Sequence, residues 1–182
     1  TKQVLFLDRP AVEVERFYGL RLDTFSGETV EDVAIPDLML RFENLERQGL
    51  GEPLPRGVVR VFEPYAEREV FADEAEMGDR PVGLPVELVI GRAQNVLLEI
   101  ASDWRQQAGA RWTIATEHRI VNRKAVPIDV EIRHAIDPYL TDARVDRTSK
   151  PMRRKYGDFA WRFVVRPGED SLRYELSARG PR

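Results

Sequence analysis

The sequence predicts an all-β fold made of antiparallel β-sandwich units, the C-terminal part being immunoglobulin-like. Apolar and polar residues alternate with a period of two through most of the chain, which is typical of strands buried on one face. Gly, Pro, Asn and Asp separate these segments about every 8 to 12 residues, a spacing typical of sandwiches and barrels. No long segment shows the 3.6-residue period of a helix.

The strands follow in order along the chain. The predicted strands are residues 3–7, 12–22, 38–44, 59–65, 69–74, 86–90, 96–104, 111–121, 127–136, 159–165 and 172–176. Residues 99–107 also fit a short helix, but the apolar run that begins at Val96 favours a strand. The strongest alternation places Ile114, His118 and Ile120 on one face and Glu117 and Arg119 on the other.

The boundary between two predicted units lies in the segment 106–110. This segment combines polar residues with Gly109 and precedes a strongly patterned strand. The sequence therefore predicts an N-terminal β-unit at 1–108 and an immunoglobulin-like sandwich at 109–182, with one continuous module as the alternative.

Length and charge restrict the class of protein. The chain has 182 residues, a net charge of −3 and no cysteine. A chain this long buries about 70% of its unfolded surface, so it needs no disulfide or metal to hold a core. The negative charge disfavours a general nucleic-acid binder, and no apolar run reaches the roughly 20 residues of a membrane-spanning helix. Since the chain begins at Thr1, we expect a mature form or a fragment.

The two histidines are candidates for a metal site. If residues 111–121 and 127–136 form a hairpin, His118 faces Val130 and His134 faces Ile114. The two rings are then about 13 Å apart at the usual strand rise, too far to share a metal. The sequence therefore predicts two core histidines near the ends of a sheet and no metal or cofactor.

Other polar patterns do not form a catalytic constellation. Glu99 and Asp103 are about 13 Å apart if they share a strand face, and no serine occurs in a G-x-S-x-G elbow. The acidic segment 73–79 lacks the spacing of a calcium loop. The basic segment 144–155 reads as a polar hairpin, in which Arg153 and Arg154 are candidates for binding an anionic surface.

Aromatic side chains offer a second class of binding site, because their rings stack on sugars. Trp112 and Trp161 lie on apolar strand faces, which predicts core packing for both. Trp104 and Tyr139 remain candidates for ligand binding.

A segment rich in glycine and proline joins two predicted strands. It contains Gly49, Gly51, Pro53, Pro55 and Gly57. A phosphate-binding P-loop needs a lysine and a following helix, and neither is present. Because glycine permits positive φ and proline fixes φ, we expect a wide corner, and we expect Gly57→Val to cost stability.

Several motifs resemble a bacterial family of uncharacterised proteins, the domain of unknown function four-one-three-nine. They are Arg41-Phe42-Glu43-Asn44, Gly49-Leu50-Gly51, Pro53-Leu54-Pro55-x-Gly57-Val58-Val59-Arg60-Val61, Leu88-Val89-Ile90-Gly91-Arg92-Ala93 and Trp161-Arg162-Phe163. The family markers are Asn44, Gly49, Gly51, Pro53, Pro55, Gly57 and Arg60. The resemblance implies an all-β fold and an exported, envelope-associated protein that is periplasmic or secreted. It implies no activity and no catalytic residues.

These observations favour a non-enzymatic β-sandwich module that mediates protein or cell-envelope interactions. Exposed edge strands accept strands from partner proteins. The alternative is a carbohydrate-binding or carbohydrate-acting domain, and an enzyme of another class is the third possibility. The sequence leaves the oligomeric state open.

Overall fold

The computed structural model of the chain describes residue 9 and residues 11–23, 30–107 and 109–180. These residues form thirteen strands and one 3-10 turn at Glu46–Gln48. The prediction of an all-β fold is therefore confirmed. The strand predicted at 3–7 lies outside the described residues.

The strands alternate with short turns along the whole described chain. Their bounds are β1 Glu15–Asp23, β2 Val30–Ala34, β3 Asp37–Glu43, β4 Gly57–Tyr65, β5 Arg68–Met77, β6 Pro85–Arg92, β7 Val96–Gln107, β8 Arg111–Asn122, β9 Ile128–Ala135, β10 Thr141–Thr148, β11 Met152–Lys155, β12 Asp158–Val165 and β13 Gly168–Arg179. Strands β2, β10 and β11 were not predicted, because each is short or highly charged and shows little apolar alternation.

The chain forms two compact units that differ from the predicted division at residue 108. The first unit contains Thr1–Arg16 and Leu38–Gly91, and the second contains Phe17–Asp37 and Arg92–Arg182. The segment proposed as a boundary is instead the turn of a hairpin, in which Gln107 of β7 pairs with Arg111 of β8. Polar residues and glycine mark a tight turn as well as a linker, so the local pattern did not separate the two.

The second unit contains two facing sheets. One has the strand order β10-β13-β8-β7-β2, and the other contains β11-β12-β9-β1. All pairs are antiparallel except β1 and β9, whose parallel register includes Tyr18 with Val130. A parallel pair requires a long connection rather than a hairpin, and these two strands are far apart in sequence.

The second unit has an apolar core between its sheets. Trp161 of β12 stacks on Tyr174 of β13 with ring centroids 4.2 Å apart. Other fully buried core side chains are Leu98, Ile114, Ile120, Ile132, Phe159, Leu172 and Leu176. This packing confirms a β-sandwich in the C-terminal part of the chain.

The predicted hairpin between β8 and β9 is wrong. Strand β8 pairs with β7 and β13, whereas β9 belongs to the opposite sheet and pairs with β1 and β12. The turn between them carries the chain across the sandwich. Asn122 holds this turn, because its Nδ2 donates to the carbonyls of Val126 at 2.9 Å and Val165 at 3.1 Å.

The basic segment 144–155 also crosses between sheets instead of forming the predicted polar hairpin. Strand β10 pairs with β13, and β11 pairs with β12. Lys150, at the crossing, donates to both carboxylate oxygens of Asp170, at 3.0 and 2.9 Å.

The first unit contains neighbouring strands β3 and β6 and a two-stranded ribbon of β4 and β5. Its core is formed by Val86, Leu88 and Ile90 of β6, all of which are buried. The side chains packed against them are Leu38, Leu40, Phe42, Leu54, Val59, Val61, Ala75 and Met77. One face of the ribbon therefore packs against this core, at the end that carries Val59, Val61, Ala75 and Met77.

Candidate functional site

The glycine and proline corner is organised by one buried side chain, Asn44. Its Nδ2 donates to the carbonyl of Glu52 at 2.7 Å and lies 3.2 Å from each of the carbonyls of Arg80 and Pro81. Its Oδ1 accepts from the Gly51 N–H at 3.1 Å. Since Asn44 is completely buried, these bonds satisfy its side-chain amide, which water does not reach. Asn44 therefore connects the corner at Glu52 with the turn at Arg80 and Pro81.

Two glycines of the corner are required by geometry. Gly49 has φ of +89° and Gly51 has φ of +93°, values that L-residues with a side chain rarely adopt. A Cβ at Gly49 would lie 2.1 Å from the carbonyl oxygen of Ala11, and one at Gly51 would lie 2.9 Å from the Cα of Glu46. The expectation of positive φ is confirmed at both positions.

The two prolines flank Leu54 without interrupting its pairing. Leu54 and Arg80 exchange backbone hydrogen bonds of 2.9 and 2.8 Å, while Pro53 and Pro55 on either side are exposed. Because proline has no backbone N–H, neither Pro53 nor Pro55 can donate a backbone hydrogen bond. Leu54 is therefore the residue of this segment that pairs with Arg80. Arg60, the last of the family markers, is exposed and lies 3.4 Å from Glu74.

Gly57 does not share the role of the other two glycines. It begins β4, it is exposed, and a Cβ there would meet no atom within 4 Å. The structure therefore shows no steric clash that would cause the stability loss expected for Gly57→Val. We predict a change in the free energy of unfolding of less than about 0.5 kcal/mol in a urea titration. Gly49→Ala is the matched control and should destabilise strongly, so equal losses for both variants would contradict this account.

The two histidines meet at one hydroxyl group in the core of the second unit. His118 Nε2 lies 3.1 Å and His134 Nδ1 2.7 Å from the Tyr174 hydroxyl oxygen. The predicted burial of both rings is correct, but the predicted separation is wrong. The reason is that β8 and β9 face each other across the sandwich rather than pairing side by side.

Burial keeps all three groups of this cluster neutral. It lowers the pKa of His118 to about 3, with a further contribution from His134, and the pKa of His134 to about 4. It raises the pKa of Tyr174. One hydroxyl proton serves two rings, so Tyr174 donates to one histidine and accepts from the other. The outer ring nitrogens, His118 Nδ1 and His134 Nε2, are buried and have no hydrogen-bond partner among the described residues.

The structure does not join the two aromatic candidates into a platform. Trp104 packs edge-to-face on Trp112 with ring centroids 6.1 Å apart. Tyr139 is 77% exposed in the turn before β10, where its N–H donates to Asp137. Among the described residues, no ring contact links Trp104 with Tyr139. Trp161 is completely buried, as predicted, whereas Trp112, for which core packing was also predicted, is only half-buried.

The two candidate arginines point to different partners. Arg153 donates to the buried carboxylate of Glu131 at 3.1 Å, beside Lys155, which donates to the same group at 2.8 Å. Arg154 donates to the carbonyl oxygens of Gly157 and Ala143 and stacks on Phe159. Both guanidinium groups therefore hold neighbouring strands together.

The outer face of the five-stranded sheet bears an open cavity of about 520 Å³. Arg173 crosses it and donates to Glu117 at 2.8 and 2.7 Å, which lowers the pKa of that carboxyl. Glu117 is therefore an ion-pair partner and a poor proton donor at neutral pH. Tyr174 is the single aromatic residue among the described lining residues, and its ring is turned into the core against Trp161. The cavity thus offers no ring for stacking on a sugar.

A different surface combines exposed aromatic rings with strand edges that no other described strand pairs with: the ribbon of β4 and β5. Phe62 and Phe71 are opposite each other, with ring centroids 5.8 Å apart at an interplanar angle of 73°, and each is 51% exposed. Neighbouring residues on the same face of the ribbon are Val58, Arg60, Pro64, Glu69, Glu74 and Glu76. We name this set, with the two phenylalanines, the outer face of the ribbon.

Sequence reasoning predicted both strands of the ribbon but missed its outer face. The register shifts between Val61 and Phe62, which leaves Ala72 as an extra residue in β5. A bulge of this kind breaks the period of two, so the alternation no longer indicates which residues are exposed. The available signal was the excess of apolar residues at 58–62, which is larger than one buried face requires.

Comparison with protein-family models found no family whose model matches the chain, and comparison with curated proteins found no matching relative. The resemblance given above therefore stays a prediction. In the part of the chain that the structure describes, no helix is both long and apolar enough to span a membrane.

Proposed function

We propose that this chain is a non-enzymatic β-sandwich module that binds another protein through the outer face of the ribbon. The observation that carries the proposal is the exposed Phe62–Phe71 pair, placed on a two-stranded sheet that no other described strand joins. Aromatic residues are enriched at the centres of protein interfaces, because they bury a large area at a small cost in conformational entropy. Contiguous exposed apolar groups mark interaction surfaces more often than scattered ones do.

The polar clusters of the second unit have features of structural groups and not of catalytic ones. The His118–Tyr174–His134 cluster is buried and neutral, and Glu117 and Arg173 form an ion pair with each other. Neither offers a general base exposed to a substrate. Within the described residues, no group of three or more potential metal ligands is found. This arrangement favours binding over catalysis.

A cell-envelope setting is part of the same proposal. It follows from the family resemblance, which implies a bacterial protein that is periplasmic or secreted. The partner is then another envelope protein. The alternative, a carbohydrate ligand held by Trp104 or Tyr139, has less support because the two rings do not form a common platform.

Capture experiments with surface variants test the proposed function. We predict that the chain captures a specific protein from an envelope extract, and that Phe62→Ser/Phe71→Ser abolishes the capture. Tyr139→Ser, which removes an aromatic ring that is 77% exposed outside the ribbon, is the matched control and should capture normally. Thermal unfolding of all three proteins checks that they are folded.

A glycan array measured in parallel distinguishes the alternative. The proposal expects no glycan to bind. Glycan binding that Tyr139→Ser or Trp104→Ala abolishes, together with capture unaffected by the double ribbon variant, would overturn it.

A further inference from the structure

We propose that the ribbon recognises a cationic, extended segment of its partner, which adds as a third strand along the β5 edge. This inference rests on the proposed function and specifies the chemistry of the partner. Its basis is the backbone, charge and apolar pattern of β5.

The β5 edge has unpaired backbone groups. In the described part of the chain, β4 and β5 pair with each other and with no third strand. Each strand of a two-stranded ladder directs about half of its N–H and C=O groups away from its partner. Strand β5 contains no proline, whereas Pro64 removes a backbone donor from β4. Apart from the Glu74 N–H, which donates to Asp73 Oδ1 at 2.7 Å, the β5 edge therefore keeps its outward backbone donors for an added strand.

The charge of β5 selects the partner. The strand carries four carboxylates, Glu69, Asp73, Glu74 and Glu76, and one cation, Arg68. Glu74 lies 3.4 Å from Arg60, while Glu69 and Glu76 form no ion pair with the described residues. A second copy of β5 would bring like charges opposite each other, which is destabilising. A strand rich in lysine or arginine is complementary to this edge instead.

The outer face supplies the apolar part of the recognition. Phe71 belongs to β5 itself, and its half-exposed ring lies between Glu69 and Glu74 on the same face. An added strand places alternate side chains on this face. The partner segment therefore alternates cationic residues with apolar ones, so that an apolar side chain contacts Phe71 while neighbouring cations reach the carboxylates.

A synthetic peptide tests this chemistry directly. The probe is a fluorescent, amidated heptapeptide in which lysine alternates with valine, and a peptide alternating glutamate with valine is its control. We predict that the full chain binds the lysine peptide in an anisotropy titration at low salt, and that Glu69→Lys/Glu76→Lys weakens binding at least tenfold. Glu31→Lys, on the edge strand β2 of the second unit, should leave binding unchanged.

A third peptide separates strand addition from simple charge attraction. It carries N-methyl groups on alternate amides, so it keeps every lysine but loses the donors that pair with β5. The proposal expects this peptide to bind at least tenfold more weakly. Equal binding of the methylated peptide, or equal loss with Glu31→Lys, would overturn it. If neither peptide binds but Phe62→Ser/Phe71→Ser still abolishes capture, this inference fails while the proposed function stands.

Discussion

The Asn44→Ala variant is expected to lose about 3 kcal/mol of stability in the first unit, the larger part of it through hydrogen bonding. The side chain serves the Gly51 N–H and the carbonyls of Glu52, Arg80 and Pro81 at zero exposure. A buried polar group left without a partner costs about 1–3 kcal/mol. The change removes the partner of the Gly51 N–H and of the Glu52 carbonyl, whereas the carbonyls of Arg80 and Pro81 still accept from the N–H groups of Leu54 and Leu84.

The Asn44→Asp variant keeps the size of the side chain and tests the cause of this loss. The carboxylate retains the acceptor for Gly51 but places an oxygen where Nδ2 faced carbonyl oxygens. An uncompensated buried charge costs about 3–5 kcal/mol, so we expect Asn44→Asp to be at least as destabilising as Asn44→Ala. A stable Asn44→Asp protein would contradict the hydrogen-bond account.

The measurement must report on the first unit alone. The chain has three tryptophans, and Trp104, Trp112 and Trp161 all belong to the second unit, so intrinsic fluorescence would miss the change. Hydrogen exchange at the Gly51 amide, which donates to Asn44 Oδ1, is the direct reporter, and the Gly83 amide, which donates to the Asn44 backbone carbonyl, reports on the surrounding corner. Exchange at both should accelerate in each variant.

Lowering the pH from 7 to 5 is expected to destabilise the second unit by about 4 kcal/mol, about 2 from each histidine. Both pKa values are depressed by burial in the folded state, to about 3 for His118 and about 4 for His134, from the ordinary histidine value of 6.5. The stability that the folded protein gains by keeping both histidines neutral is therefore fully present above pH 6.5. It is lost as the pH falls from 6.5 toward those values, because the histidines of the unfolded chain bind protons in this range whereas those of the folded chain do not.

The source of this pH dependence is testable by variants that preserve the hydrogen bonds. In His118→Gln/His134→Asn, the amide groups replace Nε2 and Nδ1 in reaching the Tyr174 hydroxyl. We expect this variant to lose most of the stability change between pH 7 and 5, measured by urea titration with tryptophan fluorescence, which reports on the second unit. Each single variant should lose about half. An unchanged pH dependence in both single variants would exclude the histidines as its cause.

The sequence pattern predicts which face of a strand is buried, but it does not predict which strand is its neighbour in the sheet. Alternation correctly placed His118 and Ile120 on the buried face of β8. The turn after Asn122 has the same composition whether it closes a hairpin or crosses a sandwich, so the sheet of β9 could not be predicted from it. The contact of both histidines with Tyr174 depends on that crossing.

The candidate site shows the same limit. The corner at 44–57 was predicted with its positive-φ glycines, because glycine has a local conformational signature. The role of Asn44 was missed since its partners include Arg80 and Pro81, which are distant in sequence. The exposure of Phe62 and Phe71 was missed because the bulge at Ala72 changes the register locally.

Hydrogen exchange of the full chain, with and without the protein it captures, tests the ribbon as the docking surface most directly. Our account predicts that the partner slows exchange along Arg68–Met77, where unpaired amides gain hydrogen bonds, and leaves the outer face of the five-stranded sheet unchanged. Slowed exchange at Ala101, Ala115 and Glu117, with none along β5, would contradict it.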